Sequence, residues 1–219
     1  MGEGAERPRA RVAVLASGGG SNLQALLDHR AAGGGPPPFE VVLVAGDRAR
    51  AGAFARGLKA GATVAHLPDP ADGDALGDLL HHLRVDHVVL AGYLKLVPEP
   101  VTRAFAGRML NVHPALLPAF GGPGMYGARV HRAVLDAGAK VSGPTVHFVD
   151  AEYDRGAIVA QWPVPVRTDD TPESLAARVL AAEHRLLPRA VAHLAAGRLT
   201  LGAEGRAVLG PGTEDLAFA

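Results

Sequence analysis

The sequence has no cysteine, three lysines against nineteen arginines, and only two asparagines, Asn22 and Asn111. Without cysteine there is no disulfide, no thiolate nucleophile and no thiolate metal ligand, and a cytoplasmic location is expected. Depletion of Lys, Asn and Cys is typical of GC-rich coding or of life at high temperature. The two asparagines that remain against this bias are therefore candidates for residues that chemistry requires.

Net charge and long apolar runs are also lacking. Lys+Arg and Asp+Glu both number 22, which argues against a nucleic-acid or membrane-surface partner because such proteins usually present a basic face. A small anionic substrate is still compatible, since backbone N–H groups bind phosphate without net charge. The first apolar run, Val12–Ala16, is too short to span a membrane. We expect one domain after a disordered leader at residues 1–10.

Apolar, partly β-branched runs alternate with helical patterns along most of the chain, and this alternation predicts an α/β fold with a doubly wound, mostly parallel sheet. The runs predicted as strands are Val12–Ala16, Val41–Ala45, Thr63–His66, His87–Leu90, the start of Met109–Phe120, Thr145–Val149 and Val159–Val166. The prolines at 163 and 165 place the last of these runs at a sheet edge.

The C-terminal quarter is predicted to be helical and then to form a hairpin. Thr171 is a candidate N-cap followed by Pro172 at the first helical position, and the helix is expected to run to Ala196 with a kink or division at Pro188. A small hairpin formed by Leu199–Leu201 and Val208 should follow, and residues 202–219 are expected to be a C-terminal tail.

The stretch Met109–Phe120 (MLNVHPALLPAF) carries the most specific pattern. Residues two apart in a strand point the same way, so Asn111 and His113 should face one side together. Pro114 then turns the chain out of the strand. Open α/β sheets bind ligands at such carboxyl ends, although a structural amide and histidine would give the same tetrapeptide.

A glycine loop, Ser17–Asn22 (SGGGSN), separates the first predicted strand from a helix. Its N–H groups and the helix N-terminus could bind an anion. The loop is neither the dinucleotide fingerprint nor a P-loop, because Leu23 stands where the last glycine belongs and no Gly-Lys-Ser/Thr follows. A tight turn and a monophosphate site are both compatible with it.

Other polar residues receive plainer interpretations. Gly121–Arg129 has four glycines in nine residues, which predicts a mobile loop. His147 lies in an apolar strand, and we assign it a structural role. The pair His81 and His82 is assigned to a solvated helix face, without a metal site. Asp154, in a DxxG-like turn, is either a catalytic carboxylate or a loop-capping acid.

Five motifs, in this order and at these separations, closely resemble the phosphoribosylglycinamide formyltransferase family, folate-dependent enzymes of purine synthesis with a Rossmann-like formyltransferase fold. The resemblance spans about residues 11–201, the domain we expect, with the phosphoribosyl-binding part to about residue 100 and the catalytic and folate-binding part after it. The motifs are SGGGSNLQAL, AGYLKLV, LNVHPALLPAF, TVHFVDAEYDRGAIVAQ and AAEHRLLP.

The resemblance implies a set of roles, with 10-formyltetrahydrofolate as co-substrate, no metal, no nucleic-acid or membrane partner, and a monomer or homodimer. Implied catalytic residues are Asn111, His113 and Asp154. Implied ribonucleotide-binding residues are Gly20, Ser21, Asn22, Gly92, Pro114 and Glu183. Implied folate-binding residues are Leu94, Lys95, Leu96, Val97, Asn111, Asp150, Ala151, Glu152, Tyr153 and Asp154.

The chain departs from the family pattern at three places. Lys95 stands where an arginine is common, Pro68–Leu80 contains no basic residue for the folate tail, and the segment GPGMYGARVH is longer than in some members. Related formyl-folate enzymes share the Asn, His and Asp pattern but carry an additional RNA-binding or regulatory domain, for which this chain has no room. A non-catalytic small-molecule binding protein on the same scaffold is the competing hypothesis.

Overall fold

The computed structural model describes residues 9–31 and 34–217. The predicted disordered leader falls almost wholly on residues 1–8, outside the described residues, and the first strand begins at Ala10. Within the described ranges, no helix combines the length and apolar character that a membrane crossing requires.

Eleven strands are described, and most match the predicted runs. They are β1 Ala10–Leu15, β2 Phe39–Gly46, β3 Thr63–His66, β4 His87–Leu90, β5 Met109–His113, β6 Val141–Ser142, β7 Thr145–Phe148, β8 Ile158–Gln161, β9 Val164–Pro165, β10 Leu199–Leu201 and β11 Ala207–Leu209. The helices are α1 Ser21–Asp28, α2 Gly52–Lys59, α3 Gly73–His82, α4 Glu99–Ala104, α5 Ala128–Asp136 and α6 Pro172–Ala195, with a 3₁₀ helix at Glu214–Leu216.

Seven strands form the central sheet in the order β3-β2-β1-β4-β5-β7-β8. The first five are mutually parallel, whereas β7 runs antiparallel to both β5 and β8. The chain leaves β1 toward β2 on one side and later returns to add β4 on the other, so the strand order reverses between β1 and β4. Such a reversal opens a crevice at the carboxyl ends of the strands. The predicted doubly wound, mostly parallel sheet is confirmed.

Both faces of the sheet are covered, as uninterrupted apolar strands require. Val12 and Val14 pack with side chains of α1 and α6 in one core layer. Ala13 and Leu15 pack with side chains of α3 and α4 in the other. Because alternate residues of β1 point to opposite faces, one short strand contributes to both layers.

The glycine loop joins β1 to α1 as predicted, and its last glycine has a backbone that other residues rarely adopt. Gly20 has φ +76°, and a Cβ added there would meet Cα of Ala53 at 2.7 Å. The first turn of α2 lies directly against the loop, since the N–H of Ala53 donates to the carbonyl of Gly18 at 3.1 Å. Gly20 therefore allows both the turn and the approach of α2.

We expect Gly20→Ala to lower the free energy of unfolding by about 1–3 kcal/mol, because a side chain at positive φ is strained and this one also collides with α2. Gly18→Ala is the matched control, since a Cβ there has no atom within 4 Å among the described residues. Urea unfolding of both variants measures the difference. Equal stabilities for the two would contradict this explanation of the loop.

The helix α6 is not divided at Pro188, which was one of the two predicted outcomes there. It is a single helix of 24 residues that continues through the proline, with a capping box at Thr171 and Ser174. Pro188 is itself buried, and the packing of α6 against the sheet offsets the cost of a missing N–H, about 3 kcal/mol. Tertiary contacts here override the local signal.

The region predicted as one strand, Val159–Val166, is divided. Its first part is β8, at the edge of the central sheet as expected. The chain then breaks at Pro163, which has no N–H for a ladder, and β9 pairs instead with β6 in a separate two-stranded sheet. The short helix α4 lies where no helix was predicted.

The C-terminal residues pack onto the domain. β10 and β11 form the predicted hairpin, and Leu216 in the following 3₁₀ helix is only 2% exposed. The indole Nε1 of Trp162 donates to the carbonyl of Leu216 at 3.1 Å. The guanidinium groups of Arg185 and Arg189 lie 4.9 Å and 5.1 Å from the centre of the Trp162 ring, a cation–π arrangement.

Candidate active site

A cavity of about 530 Å³ opens at the carboxyl ends of β4 and β5, where the reversed strand order predicts a ligand site. Loops and helices from both halves of the chain meet there. The lining includes Asn22 of α1, the segment 92–97 after β4, Asn111 to Pro114, the segment 122–127, His131 of α5, His147, Asp150, Glu152 to Asp154, and Glu183 of α6.

Three strand residues bring the polar groups of the cavity together. Asn111 and His113 lie two apart on β5 and both line the cavity, as the alternation predicted. The antiparallel pairing of β5 with β7 places His147 directly opposite Asn111, and their side chains meet with 3.0 Å between Nδ2 of Asn111 and Nε2 of His147. Cross-strand neighbours of this kind lie within side-chain reach.

Asp154 bridges the two histidines. Its Oδ2 lies 3.4 Å from Nδ1 of His113, and its Oδ1 lies 3.6 Å from Nε2 of His147. The N–H of Gly122 donates to Oδ2 at 2.8 Å. Asp154 has φ 57°, a left-handed backbone that Asp tolerates better than most residues.

The carboxyl of Asp154 is held ionised by these contacts. Burial alone would raise its pKa, but the contacts with the His113 and His147 rings, the charge of His113 and the hydrogen bond from the N–H of Gly122 outweigh burial and hold the pKa well below its usual range. Asp154 therefore carries a negative charge beside two histidines at neutral pH.

His113 has an acceptor at each ring nitrogen. Its Nε2 lies 2.8 Å from the carbonyl oxygen of Phe120, and its Nδ1 faces Asp154. A neutral imidazole has one N–H, whereas the imidazolium has two. The surroundings of His113 thus offer partners for both N–H groups of the protonated form.

His147 is the residue that sequence reasoning misjudged. A structural role was predicted for it because its strand neighbours are apolar, but it lies in the cavity beside Asn111 and Asp154. Its signal was present in the alternation of β7, which points His147 and Thr145 to one face. Only the register with β5 reveals that this face meets the site.

Asn22 and Glu183 join at the other side of the cavity. The amide Nδ2 of Asn22 donates to Oε2 of Glu183 at 2.6 Å, across 161 residues of sequence. Glu183 is 6% exposed, and burial raises its pKa while the hydrogen bond from Asn22 lowers it in part. Two distant parts of the chain, α1 and α6, therefore contribute one polar pair that lines the cavity.

Most predicted site residues line the cavity, but three do not. Gly20 and Ser21 lie beside Asn22 at the start of α1 without being part of the lining, and Ala151 is outside it although its neighbours are inside. Lys95 is part of the lining, as are residues 122–127 of the longer segment. The mobility predicted for Gly121–Arg129 stays a prediction.

Two further contributions were missed by sequence reasoning. Ser17 Oγ donates to Oδ1 of Asp47 at 2.6 Å and accepts the N–H of Leu94 at 3.0 Å, so the glycine loop and the segment after β4 are held together. His131 lines the cavity at 4% exposure; burial, and then the charge of His113, lower its pKa. Its position in GARVH gave no indication of this burial.

Tyr93 presents a hydroxyl without a partner among the described residues. Burial, followed by the charges of Asp47 and Tyr153, raises the pKa of Tyr93 to about 12. A buried hydroxyl without a hydrogen bond costs about 1–3 kcal/mol.

We expect Tyr93→Phe to leave the free energy of unfolding unchanged or to raise it by about 1 kcal/mol, as measured by urea unfolding. A loss of similar size would show that the hydroxyl has a stabilising partner.

In the described part of the chain, no three His, Asp, Glu or Cys side chains are grouped as metal ligands would be. The pair His81 and His82 lies exposed on α3, as predicted.

The carboxyl edge of this doubly wound α/β sheet thus holds an amide, two histidines and an ionised carboxylate in one cavity, a set of groups that can perform acid–base chemistry. Residues 10–191 match the family model described as formyl transferase. The chain belongs to this family, and the family resemblance seen in the sequence is confirmed.

Over most of its length the chain is similar to a phosphoribosylglycinamide formyltransferase and to one part of a trifunctional protein. It is 44% identical over 211 residues to the chloroplastic phosphoribosylglycinamide formyltransferase of Arabidopsis thaliana, covering 93% of this chain and 72% of that protein. It is 39% identical over 204 residues to the trifunctional purine biosynthetic protein adenosine-3 of Bos taurus, covering 90% of this chain and 20% of that protein.

Among solved structures, glycinamide ribonucleotide transformylase 1 from Symbiobacterium toebii superposes with a TM-score of 0.84 at 41% identity. The superposition covers 94% of this chain and 96% of that chain.

Proposed function

We propose that this protein transfers the formyl group of 10-formyltetrahydrofolate to the amine of N1-(5-phosphoribosyl)glycinamide, a step of de novo purine (IMP) biosynthesis. The observation that carries the proposal is the meeting of Asn111, His113 and Asp154 in one cavity with the pair Asn22 and Glu183. The first group suits acyl transfer, and the second suits a phosphoribosyl substrate.

The ribonucleotide is assigned to the side of the cavity near α1. Backbone N–H groups at Gly20, Ser21 and Asn22 lie at the start of α1, where N–H groups and the helix dipole favour a phosphate. Glu183 is assigned to the ribose hydroxyls, because a carboxyl group can accept hydrogen bonds from two neighbouring hydroxyls. Gly92 and Pro114 complete this side of the cavity.

The folate is assigned to the opposite side, between the segment 94–97 and the loop 150–154. Val97 is buried and Leu96 is 43% exposed, so this segment offers an apolar surface to a ring system. Lys95 at the rim supplies a point charge in place of the planar arginine fork that is common in the family. The family model supports a formyl donor in general, and 10-formyltetrahydrofolate is our specific proposal.

The reaction requires donors for an oxyanion. When the neutral amine attacks the formyl carbon, a C–N bond forms and the carbonyl oxygen becomes negative. Collapse then breaks the bond to the folate nitrogen, and the amine proton passes to that nitrogen. His113 and Asn111 are the candidate donors, and Asp154 is the candidate for ordering a water that relays the proton.

Donation by His113 requires a local rearrangement. Its Nε2 is engaged by the carbonyl of Phe120, so this carbonyl must move before Nε2 can meet an oxyanion. Phe120 has φ 55° and is followed by two glycines, a local backbone that can adopt more than one conformation.

Formyl transfer is tested with the purified chain, glycinamide ribonucleotide and 10-formyltetrahydrofolate, following both formylated product and released tetrahydrofolate. We expect the two to appear in equal amounts and only when both substrates are present. Tetrahydrofolate and formate without ribonucleotide would indicate hydrolysis, the reaction of a deformylase. Binding of either substrate without turnover would favour the non-catalytic binding protein.

We further propose a cytoplasmic enzyme whose partners are small molecules. Residues up to about 100 are proposed to supply most of the phosphoribosyl site, to which later residues add Pro114 and Glu183. Residues after about 100 are proposed to supply the catalytic set and, together with the segment 94–97, the folate site. The proposed assembly is a monomer or a homodimer, which light scattering during size-exclusion chromatography distinguishes.

A further inference from the structure

The amide of Asn111 is turned toward β7. Its nitrogen Nδ2 lies 3.0 Å from Nε2 of His147 and 3.4 Å from Oδ1 of Asp154. An amide nitrogen has two hydrogens, and both have a partner in this arrangement. The carbonyl oxygen Oδ1, on the other side of the planar amide, is then the end of Asn111 that a molecule in the cavity would meet.

The other nitrogen of His147 determines what its Nε2 can do. Nδ1 lies 2.7 Å from the carbonyl oxygen of Phe148, and a carbonyl oxygen only accepts, so Nδ1 carries a hydrogen. In the neutral ring Nε2 is therefore an acceptor. Asn111 must then present its NH₂ group to His147, as the structure shows.

A second proton on His147 would reverse this arrangement. With hydrogens on both ring nitrogens, Nε2 becomes a donor, and the NH₂ group of Asn111 can no longer face it. A half-turn of the amide would bring Oδ1 to His147 and direct NH₂ into the cavity. The protonation state of His147 and the orientation of Asn111 are thus linked through one hydrogen bond.

We propose that His147 is a positioning residue whose proton on Nε2 decides which end of the Asn111 amide faces the cavity. The consequence for catalysis rests on the formyl transfer proposed above: Asn111 becomes an oxyanion donor only when His147 is protonated. With His147 neutral, Asn111 offers the cavity an acceptor, which suits an N–H of the incoming amine.

Several charged or titratable groups surround His147 and enter the same equilibrium. Asp154 is nearest, with its Oδ1 3.6 Å from Nε2 of His147. His113 on β5 shares Asp154 and competes for its charge. Across the cavity lie His131 on α5 and Glu183 on α6. The linkage therefore belongs to a coupled group of sites, and its midpoint is a property of the group.

The composition of the chain makes a direct test practical. The full sequence contains two asparagines and two glutamines, so only four side-chain NH₂ groups appear in the NMR spectrum of the ¹⁵N-labelled protein. Nitrogen shifts of the His147 ring identify its tautomer. A scalar coupling across the hydrogen bond reports whether Nδ2 of Asn111 donates to Nε2 of His147.

With His147 neutral, we expect the tautomer with hydrogen on Nδ1 and a coupling between Asn111 and His147. As pH falls, the coupling should vanish and the Asn111 NH₂ signals should shift with the same midpoint as the His147 ring. Gln161 is the control, because its Nε2 donates to the Leu117 carbonyl and to the Thr145 hydroxyl, neither of which titrates. A hydrogen on Nε2 of the neutral ring, or Asn111 signals unchanged through the His147 titration, would overturn the proposal.

A variant adds the functional readout. His147→Phe removes the ring nitrogen that orients the Asn111 amide in either protonation state, so kcat should fall about tenfold or more, as for loss of an oriented donor, while KM for the ribonucleotide changes little. A KM that changes by a factor similar to the change in kcat, or a kcat like that of wild type, counts against the proposal. The NMR titration uses wild-type protein without substrates, so it decides the linkage even if the variant does not fold or the assigned reaction is wrong.

Discussion

His113→Ala should lower kcat to less than about a hundredth of the wild-type value, because loss of a preorganised donor or acid–base group typically costs that much. His113 stands at the end of β5, 3% exposed, with Asp154 at one ring nitrogen and Phe120 at the other. Its contacts are made to groups of the site, so the protein should stay folded with some loss of stability.

The measurement is kcat under saturating substrates, together with circular dichroism and thermal unfolding to establish that the variant is folded. His82→Ala is the matched control, since His82 is exposed on α3 and its removal should leave kcat unchanged. A folded His113→Ala protein with at least a tenth of wild-type kcat would remove His113 from the catalytic set.

Asp154→Asn should affect both turnover and stability. Turnover should fall about a hundredfold or more, since the variant keeps the shape of the side chain but loses the charge that faces both histidines. A loop-capping acid, the alternative role for this residue, would instead leave kcat within a few fold, because an amide oxygen can still accept the N–H of Gly122.

The stability effect has a defined pH range. The pKa of Asp154 is lower in the folded protein than in the unfolded chain, so its stabilisation is fully present above the unfolded value near 4 and is lost as pH falls through the folded value. At pH 7 the variant should be less stable by about 1–3 kcal/mol. The difference should narrow as pH decreases below about 4.

Urea unfolding of wild type and Asp154→Asn across this pH range measures the effect. Asp78→Asn is the control, since Asp78 is exposed on α3 and should give the same stability as wild type at every pH. A wild-type advantage that does not depend on pH would mean that the charge of Asp154 does not stabilise the fold.

The fold and part of the site could be predicted because their signals are local. The alternation of Asn111 and His113 with Leu110 and Val112 is a property of four consecutive residues, and period two fixes which side chains share a face. Buried parallel strands likewise need continuous apolar runs, which is why β3 and β4 match their predicted bounds.

The remaining features depend on contacts between distant parts of the chain. His147 joins the site only because β7 returns antiparallel to β5 in one particular register, and a slip of one residue would turn it to the other face. Pro188 is tolerated because α6 is packed along its length. The helix α4 follows Pro98 and contains Pro100, a local pattern that favours a loop.

Trp162 gives the molecule a single optical reporter, placed away from the chemistry. It is the only tryptophan, with the guanidinium groups of two arginines near its ring and a hydrogen bond to Leu216. It therefore reports on the region where β8, α6 and the C-terminal segment meet. Its emission should therefore follow undocking of that segment, while loss of activity follows the cavity. Fluorescence and activity curves need not coincide on unfolding, and a substrate titration that leaves the emission unchanged is fully consistent with binding.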